Sequence, residues 1–277
     1  MKYLQLDEVI MRAFQEDMPM GDITTDNIIS IESKSKATLT AKQSGVVCGI
    51  EVAKRVFELL DANVEFEALR ADGDLVGPGD LIMRVAGNSR ALLKGERTAL
   101  NFIQHLSGVA TETNKYAKLL EGLKTKVVDT RKTTPGLRYL EKYAVACGGG
   151  SNHRFSLSDG VLIKDNHIKA AGGISNAVSR VREKIPHTVK IEVETESLEM
   201  VQEALDSGAD IIMLDNMTIE KMTQAVGLIS GRALVEASGD IDEKKLVEVA
   251  KTGVDIISIG RITRSAGSLD ISMRFVD

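Results

Sequence analysis

From Lys126 onward the chain repeats one rhythm: a short apolar run, a polar tip, an amphipathic stretch and a glycine. The apolar runs are KVVDT (126–130), VLIK (161–164), TVKIEVE (188–194), DIIMLD (210–215), ALVEAS (233–238) and DIISIG (255–260). Between the later runs, stretches such as SLEMVQEALDSG, IEKMTQAVGLI and DEKKLVEVAKTG have helical spacing and lead into glycine-containing turns. Strands separated by helices pair in parallel through right-handed crossovers. Six such units predict an α/β domain in the form of an incomplete parallel barrel, short of a full eight.

Each predicted strand ends in polar residues. Asp129, Arg131 and Lys132 follow the first, and Lys164, Asp165 and Asn166 the second. Glu192 and Glu194 end the third, Asp215 and Asn216 the fourth, Ser238 and Gly239 the fifth, and Gly260 and Arg261 the sixth. In parallel barrels the C-terminal strand ends share one face, which carries the active site. A purely structural barrel has no need of a polar tip on every strand, so the site is expected there.

Residues 1 to 106 have a different texture. A helix is predicted from about Leu6 to Met18, in an N-terminal stretch (MKYLQLDEVIMRAF) that lacks the apolar core of a signal peptide. Strand-like alternation and the turn-rich ADGDLVGPGDLIMRVAG follow. A helical pair is then expected from Ala91 to about Glu121, broken at Ser107 and Gly108.

The segment from Asp129 to His167 inverts the charge of the chain. It carries Arg131, Lys132, Arg138, Lys142, His153, Arg154, Lys164 and His167 against Asp129, Glu141, Asp159 and Asp165, while the whole chain has a formal net charge of -5. A local basic cluster on an acidic protein points to an anionic small molecule, not to nucleic acid, whose partners are usually basic overall. Aromatics at 4% and the absence of Trp also argue against base-stacking platforms. No run approaches the roughly 18 apolar residues of a membrane span, and the two cysteines, Cys48 and Cys147, make neither a CxxC pair nor a metal spacing. A reduced cytoplasmic setting is expected.

Arg131 and Arg154 can each grip a carboxylate or phosphate with two prongs, and Lys132 and Lys164 add point charges. Arg138 and Lys142, with Glu141 beside them, fit an exposed helix face. Glu194 and Asp215 can hold ribose hydroxyls or Mg²⁺, which takes oxygen ligands and retains water. His153 follows a GGGSN turn beside Arg154, and its cationic neighbours favour a neutral, hydrogen-bonding ring. The turns ASGD (237–240) and SIGR (258–261) offer backbone N–H groups for phosphate. His105 fits a packing or hydrogen-bonding role and His187 a solvated loop. Cys147 and nearby serines lack a base and an orienting acid, which argues against nucleophilic hydrolysis.

The strings EDMPMGDITTD, GERTALNFIQHLSGVAT, DTRKTTPGLRYLEKYAVACGGGSNHR, LIKDNH, EVE, LDNM and EASGD, in this order along nearly the whole chain, resemble the quinolinate phosphoribosyltransferase family. Its members are also called nicotinate-nucleotide pyrophosphorylases (carboxylating). The resemblance implies an N-terminal open-faced α/β sandwich (1–106) to which 262–277 return, and an incomplete α/β barrel (107–261). It implies a cytoplasmic homodimer in which Arg97 reaches the neighbour's pocket. Arg131, His153, Arg154 and Lys164 would then hold a pyridine dicarboxylate, with Thr130 a further substrate-binding residue. Phosphoribosyl pyrophosphate and its Mg²⁺ would be met by Lys132, Glu194, Asp215, the Ser238–Gly239–Asp240 turn and the Ser258 to Arg261 turn. Lys132, Lys164, Glu194 and Asp215 would be the catalytic set, with Glu194 and Asp215 toward the metal. No nucleic acid and no membrane is implied as partner.

The chain departs from the family pattern in two places. Asp240 stands where a second glycine is usual, and Thr263-Arg264-Ser265 where Thr-His-Ser is usual. Asp240 is expected to face outward as a helix N-cap, with Arg264 a compensating cation near phosphate. Two rivals stand beside this reading. Lys164 at a strand end could be a Schiff-base lysine, although a small aldehyde needs fewer arginines. A non-catalytic relative of the type associated with molybdenum transport could bind an anion in the same pocket, although the intact TRK, NHR and LIKDNH strings disfavour it.

Overall fold

The computed structural model describes residues 5–277, so Met1 to Leu4 of the expected N-terminal helical stretch lie outside it. In the first half of the chain the helices are α1 (Leu6–Asp17), α2 (Ile23–Ile28), α3 (Ile50–Leu60) and α4 (Ser89–Leu119). The strands there are β1 (Lys34–Ala41), β2 (Gly45–Val46), β3 (Glu65–Ala68), β4 (Leu75–Val76) and β5 (Leu81–Asn88). Then β6 (Lys126–Val128), α5 (Arg138–Cys147), β7 (Val161–Ile163), α6 (Asp165–Ala171), α7 (Ile174–Arg182) and β8 (Ile191–Thr195) follow. The chain continues with α8 (Leu198–Asp206), β9 (Ile211–Asp215), α9 (Ile219–Ile229), β10 (Leu234–Ser238), α10 (Glu243–Lys251), β11 (Ile256–Ser258), α11 (Arg261–Arg264) and β12 (Ile271–Val276).

The protein is mixed α/β and divides into two compact units. One comprises residues 1–114, 134–149 and 262–277, the other 115–133 and 150–261. The first is built on an antiparallel sheet in the order β12-β1-β5-β3. Alternation along β1 buries Ala37, Leu39 and Ala41, and the helix spacing of Leu6, Ile10 and Phe14 buries one stripe of α1. The C-terminal strand β12 pairs along the free edge of β1, Met273 opposite Leu39.

The second unit is a parallel six-stranded sheet in the order β6-β11-β10-β9-β8-β7. That is the cyclic order of a barrel opened between β6 and β7. Ser151 makes a single parallel bridge to Val128 on the β6 side of the gap. Val193, Ile212, Leu214, Val235, Ala237 and Ile257 form one buried face of the strands, and Val201, Ala204, Met222, Ala225, Ile229, Leu246, Val249 and Ala250 are the buried residues of helices α8 to α10. Each Val, Leu, Ile or Met among them contributes about 1.5–3 kcal/mol on leaving water.

Two local expectations are corrected here. Ser107 and Gly108 do not break a helical pair, because α4 runs unbroken for 31 residues. Ser107 instead uses its hydroxyl on another segment, accepting from Cys48 N–H at 2.9 Å and donating to Cys48 C=O at 3.1 Å. At Gly108 an added Cβ would lie 1.7 Å from the Gly267 carbonyl oxygen, so the glycine permits a backbone crossing. The second correction concerns α5, which is not an exposed charged face. Lys142 and Glu141 are fully buried and Arg138 is half-buried. Glu141 accepts from the Thr134 N–H at 3.1 Å and pairs with His105 Nε2 at 2.9 Å. Charges at helical spacing mark one stripe, and internal partners decide whether it can be buried.

The same contacts place residues 134–149 with the first compact unit. Asn114 also donates to the Gly148 carbonyl at 3.2 Å, and a Cβ on Gly148 would sit 2.3 Å from the Ala110 carbonyl oxygen.

Gly108→Ala is expected to lower stability by about 1–3 kcal/mol or more through overpacking against backbone. Gly227→Ala is the control, since Gly227 lies in α9 with nothing within 4 Å of an added Cβ. It should be neutral or raise stability by up to about 1 kcal/mol. Urea midpoints of the two variants measure the contrast, and equal midpoints would contradict it.

Candidate active site

Strand register assigns the site to one face of the parallel sheet. Leu162 pairs with Glu192, Glu194 with Met213, Met213 with Glu236, Asp215 with Ser238, and Ser258 with Val128. Side chains alternate along a strand, and register partners share a face. One face therefore carries Glu192 and Glu194 on β8, Met213 and Asp215 on β9, Glu236 and Ser238 on β10, and Ser258 on β11. Lys164, two residues beyond Leu162, continues the same parity. The apolar residues of the helix-covered side have the opposite parity. Lys164, Glu194, Asp215 and Ser238 thus come together at the C-terminal edge.

Within that tip layer Lys164 Nζ donates to Glu194 Oε2. The Lys164 backbone N–H donates to His167 Nδ1 at 3.0 Å, fixing the start of α6. Asp215 accepts from the Asn216 side-chain amide at 2.9 Å. Asn216 has a left-handed φ of 53° and donates its backbone N–H to Ser238 C=O at 3.0 Å. An added Cβ on Gly239, whose φ is 126°, would sit 2.4 Å from Asn216 Oδ1. The glycine is required by close approach as well as by φ.

One layer deeper lies a group not anticipated as a unit. Glu192 and Glu236 are 4% and 2% exposed, and His153 Nε2 lies 3.1 Å from Glu192 Oε2 and 3.7 Å from Glu236 Oε2. His153 Nδ1 accepts the Arg154 backbone N–H at 2.7 Å. That acceptor role puts the ring proton on Nε2, so the imidazole is neutral and donates to Glu192. A metal on Nε2 would need the proton on Nδ1, which the Arg154 N–H opposes, so the three residues do not suit a cation. Burial, and then the charge of Glu192, push Glu236 from its usual 4.5 up to about 7. Burial beside a second acid therefore favours the protonated form of Glu236.

The loops supply the cations. Asp129 is buried and accepts from the Asn152 side chain at 2.6 Å and the His153 N–H at 2.9 Å, pinning the GGGSN turn to the end of β6. Thr130 Oγ1 accepts the Lys132 N–H at 3.0 Å. The Lys132 stem lies over Gly260, where a Cβ would meet its Cδ at 2.9 Å. Arg131 and Lys132 are exposed and Arg154 is half-buried, donating to the Gly160 carbonyl at 2.8 Å. Burial, with the charge of Arg131 as the next cause, lowers the pKa of Arg154. The charges of Glu192 and Asp159 offset these effects only in part, so the Arg154 pKa stays lowered.

The remaining expected residues fall as follows. Ser258 is buried, Gly260 is half-buried, and Arg261 and Asp240 are exposed. Asp240 is not the N-cap of α10. Asp242 is, accepting the Lys244 and Lys245 N–H groups at 3.1 and 3.0 Å. Asp240 contributes only its carbonyl, toward Lys245 Nζ at 3.4 Å. Arg264 is exposed at the end of α11, and Arg97 is exposed on α4 of the first unit. The residue sequence reading missed is Glu236. Its signal is the same i, i+2 step that links Glu192 to Glu194, here linking Glu236 to Ser238.

Family models describing the N-terminal and C-terminal domains of quinolinate phosphoribosyl transferase match residues 22–107 and 109–274. A Bacillus subtilis protein named probable nicotinate-nucleotide pyrophosphorylase (carboxylating) is 45% identical over 273 residues, covering 99% of this chain and 94% of its own. A Methanocaldococcus jannaschii protein of the same name is 41% identical, covering 97% of this chain and 96% of its own. The crystal structure of NadC from Streptococcus pyogenes superposes with a TM-score of 0.96 at 45% identity, covering 100% of this chain and 99% of that one.

Glu236 generates a pH prediction. The folded chain holds its proton up to about pH 7, whereas an unfolded glutamate releases it near 4.5. The folded state binds more protons in that window, so this group's contribution falls as pH rises through it and the loss is complete above about 7. Glu236→Gln cannot ionise, and it should raise the thermal midpoint at pH 8 by a few degrees more than at pH 5. An equal shift at both values would show that Glu236 does not retain its proton.

Proposed function

The chain belongs to the quinolinate phosphoribosyltransferase family, and from that premise we propose how its own residues divide the work. The reaction joins quinolinate to phosphoribosyl pyrophosphate and yields nicotinate mononucleotide, pyrophosphate and CO₂, a step of NAD biosynthesis. The observation that supports the assignment of residues is the convergence of Lys164, Glu194, Asp215 and Ser238 on one sheet face, with Arg131 and Arg154 contributed by the loops.

Arg131 and Arg154 take the two carboxylates of quinolinate in planar, charge-assisted contacts. Lys164 exchanges Glu194 for the substrate, which frees Glu194 toward the ribose side. His153 acts through Arg154, since one ring nitrogen holds the Arg154 N–H and the other faces Glu192. Its role is positioning, in place of the direct substrate contact first expected. Lys132 and the Ser238–Gly239 and Ser258–Gly260 turns meet the phosphates, with Thr130 fixing the loop that carries Lys132. Glu194 and Asp215 would hold Mg²⁺, their carboxylates on adjacent strands supplying the oxygen ligands it prefers beside retained waters. When bound, the ion neutralises charge on the departing pyrophosphate.

These residues work by placing two anions that repel each other, so that the ring nitrogen faces the anomeric carbon. Fixed cations then stabilise the charge that gathers on pyrophosphate as it leaves. The pyridinium formed is the electron sink for loss of the adjacent carboxylate. No covalent enzyme nucleophile enters this scheme, and decarboxylation is a property of the product ring.

We also propose a homodimer and residence in the cytoplasm. On the first unit, Met20, Ile23, Ile28 and Ile31 are 94%, 81%, 73% and 66% exposed, a concentration of apolar surface that favours burial against protein. Arg90 and Lys94 of α4 tie α2 down through the Ile29 carbonyl and Asp26. Arg97 follows at helical spacing on that same face, where a neighbour's pocket could receive it. Among the described residues no helix is long and apolar enough to cross a membrane.

Purified protein with quinolinate, phosphoribosyl pyrophosphate and Mg²⁺ should form nicotinate mononucleotide and CO₂ in equal amounts. Arg131→Ala should lower kcat/KM by about 10²–10³, or roughly 3–4 kcal/mol. Product from nicotinate, or an unaffected Arg131→Ala variant, would contradict the assignment. Mixing inactive Arg97→Ala with inactive Lys164→Ala protein should restore part of the activity if Arg97 serves the neighbour, and no recovery would place it elsewhere. Gly260→Ala should raise KM for phosphoribosyl pyrophosphate while leaving stability within about 0.5 kcal/mol, because it displaces a flexible lysine stem.

A further inference from the structure

Cys48 and Cys147 are the two cysteines of the chain, with about 100 residues between them. In the first unit they meet. Cys48 lies just before α3 and is fully buried, while Cys147 is the last residue of α5 and half-buried. Their sulfurs and a carboxylate oxygen of Asp72 lie within 4.8 Å of one another.

Each partner is anchored. The Cys48 N–H and C=O are both held by the Ser107 hydroxyl, at 2.9 and 3.1 Å. The residue after Cys147 is Gly148, packed so closely on Ala110 and Thr113 of α4 that a Cβ would meet Thr113 Cβ at 2.7 Å. Asp72 accepts the Gly49 and Ile50 N–H groups at 2.9 and 3.0 Å through Oδ1 and the Tyr143 hydroxyl at 2.7 Å through Oδ2. Both sulfurs are thus held on rigid backbone against α4. None of these residues belongs to the phosphoribosyl-transfer set.

We infer that Cys48 and Cys147 form an oxidant-responsive dithiol, a modification site that closes to an intrachain disulfide when the protein meets a peroxide.

The two thiols have different tasks. The hydrogen bond with Cys48 lowers the pKa of Cys147 against the opposing effect of burial, with Tyr143 also lowering it. The hydrogen bond with Cys147 and burial raise the pKa of Cys48, which stays a thiol. Cys147 is therefore the attacking sulfur. Its thiolate attacks one oxygen of hydrogen peroxide, forming an S–O bond as the O–O bond breaks. The leaving hydroxide takes the proton that Cys147 had released and departs as water. The Cys48 sulfur then attacks the sulfenic sulfur, forming the S–S bond as S–O breaks. The second hydroxide leaves with the Cys48 proton, again as water. Two thiols and one peroxide give one disulfide and two waters, the sulfurs together losing two electrons.

A thiophilic metal ion is the competing occupant. It would need Cys48 ionised and a fourth ligand, and the Asp72 oxygens already accept three hydrogen bonds, so the geometry favours the disulfide.

The test uses the full chain, titrated with hydrogen peroxide and read by intact mass and iodoacetamide labelling under denaturing conditions. The expected result is loss of the mass of two hydrogens, loss of both alkylation sites, and reversal by dithiothreitol. Closing a loop of about 100 residues should also raise the thermal midpoint by several degrees. In Cys48→Ser the disulfide should be absent and Cys147 should be trapped as a sulfenic acid by dimedone. Cys147→Ser, at the half-buried position, should lose oxidation altogether and carries the test if the first variant does not fold. Thiols that remain alkylatable after peroxide, or a covalent dimer on non-reducing gels, would overturn the proposal. So would tight uptake of one Zn²⁺ by the reduced protein that blocks alkylation and is lost in both variants.

Discussion

The parallel register of β6 to β11 is the constraint on which the active site depends. Because successive residues point to opposite faces and register partners share one, a two-residue step along a strand decides a side chain's fate. Val193, Val235 and Ala237 go to the helix-covered face and are buried as core. Glu192, Glu194, Glu236 and Ser238 go to the other. A one-residue slip in a single strand would exchange these sets, burying a carboxylate among helices and exposing valines to the substrate. The apolar residues behind the sheet thus specify the chemistry in front of it.

The site has an electrical architecture in depth. Cations from the loops, Arg131, Lys132 and Arg154, lie above acids from the strands. Left alone, the guanidiniums repel each other, and the deeper acids Glu192 and Glu236 cannot both ionise comfortably. Neutral His153 joins the layers, receiving the Arg154 N–H on one side and donating to Glu192 on the other. An anionic ligand would relieve the upper repulsion, as protonation of Glu236 relieves the lower. This division suits an enzyme that must bring two polyanions together and whose chemistry then proceeds largely within the substrates.

Where sequence reading went astray, local spacing was sound and its interpretation depended on what lay opposite. Gly108 has the composition of a helix break, yet the long helix continues and the glycine admits the Gly267 backbone. Arg138 and Lys142, with Glu141 beside them, have the spacing of an exposed charged stripe, yet His105 and the Thr134 N–H make burial of Glu141 acceptable. Asp240 is the cap expected from sequence, and only the chain's path shows that Asp242 faces the N–H groups of α10. None of these depends on residue type alone.

The sequence by itself determined the strand–helix rhythm, the polar tips and the family, because periodicity and motif order are properties of neighbours along the chain. It also marked Lys164, Glu194, Asp215 and Ser238, since strand-end position follows from pattern. Tertiary structure alone decided that Glu192, Glu236 and His153 come together, that residues 134–149 pack with the first unit, and that Cys48 meets Cys147. Those outcomes rest on register between strands and on close backbone crossings at glycines. Such distances are set by the packing of elements remote in sequence, which no local spacing records.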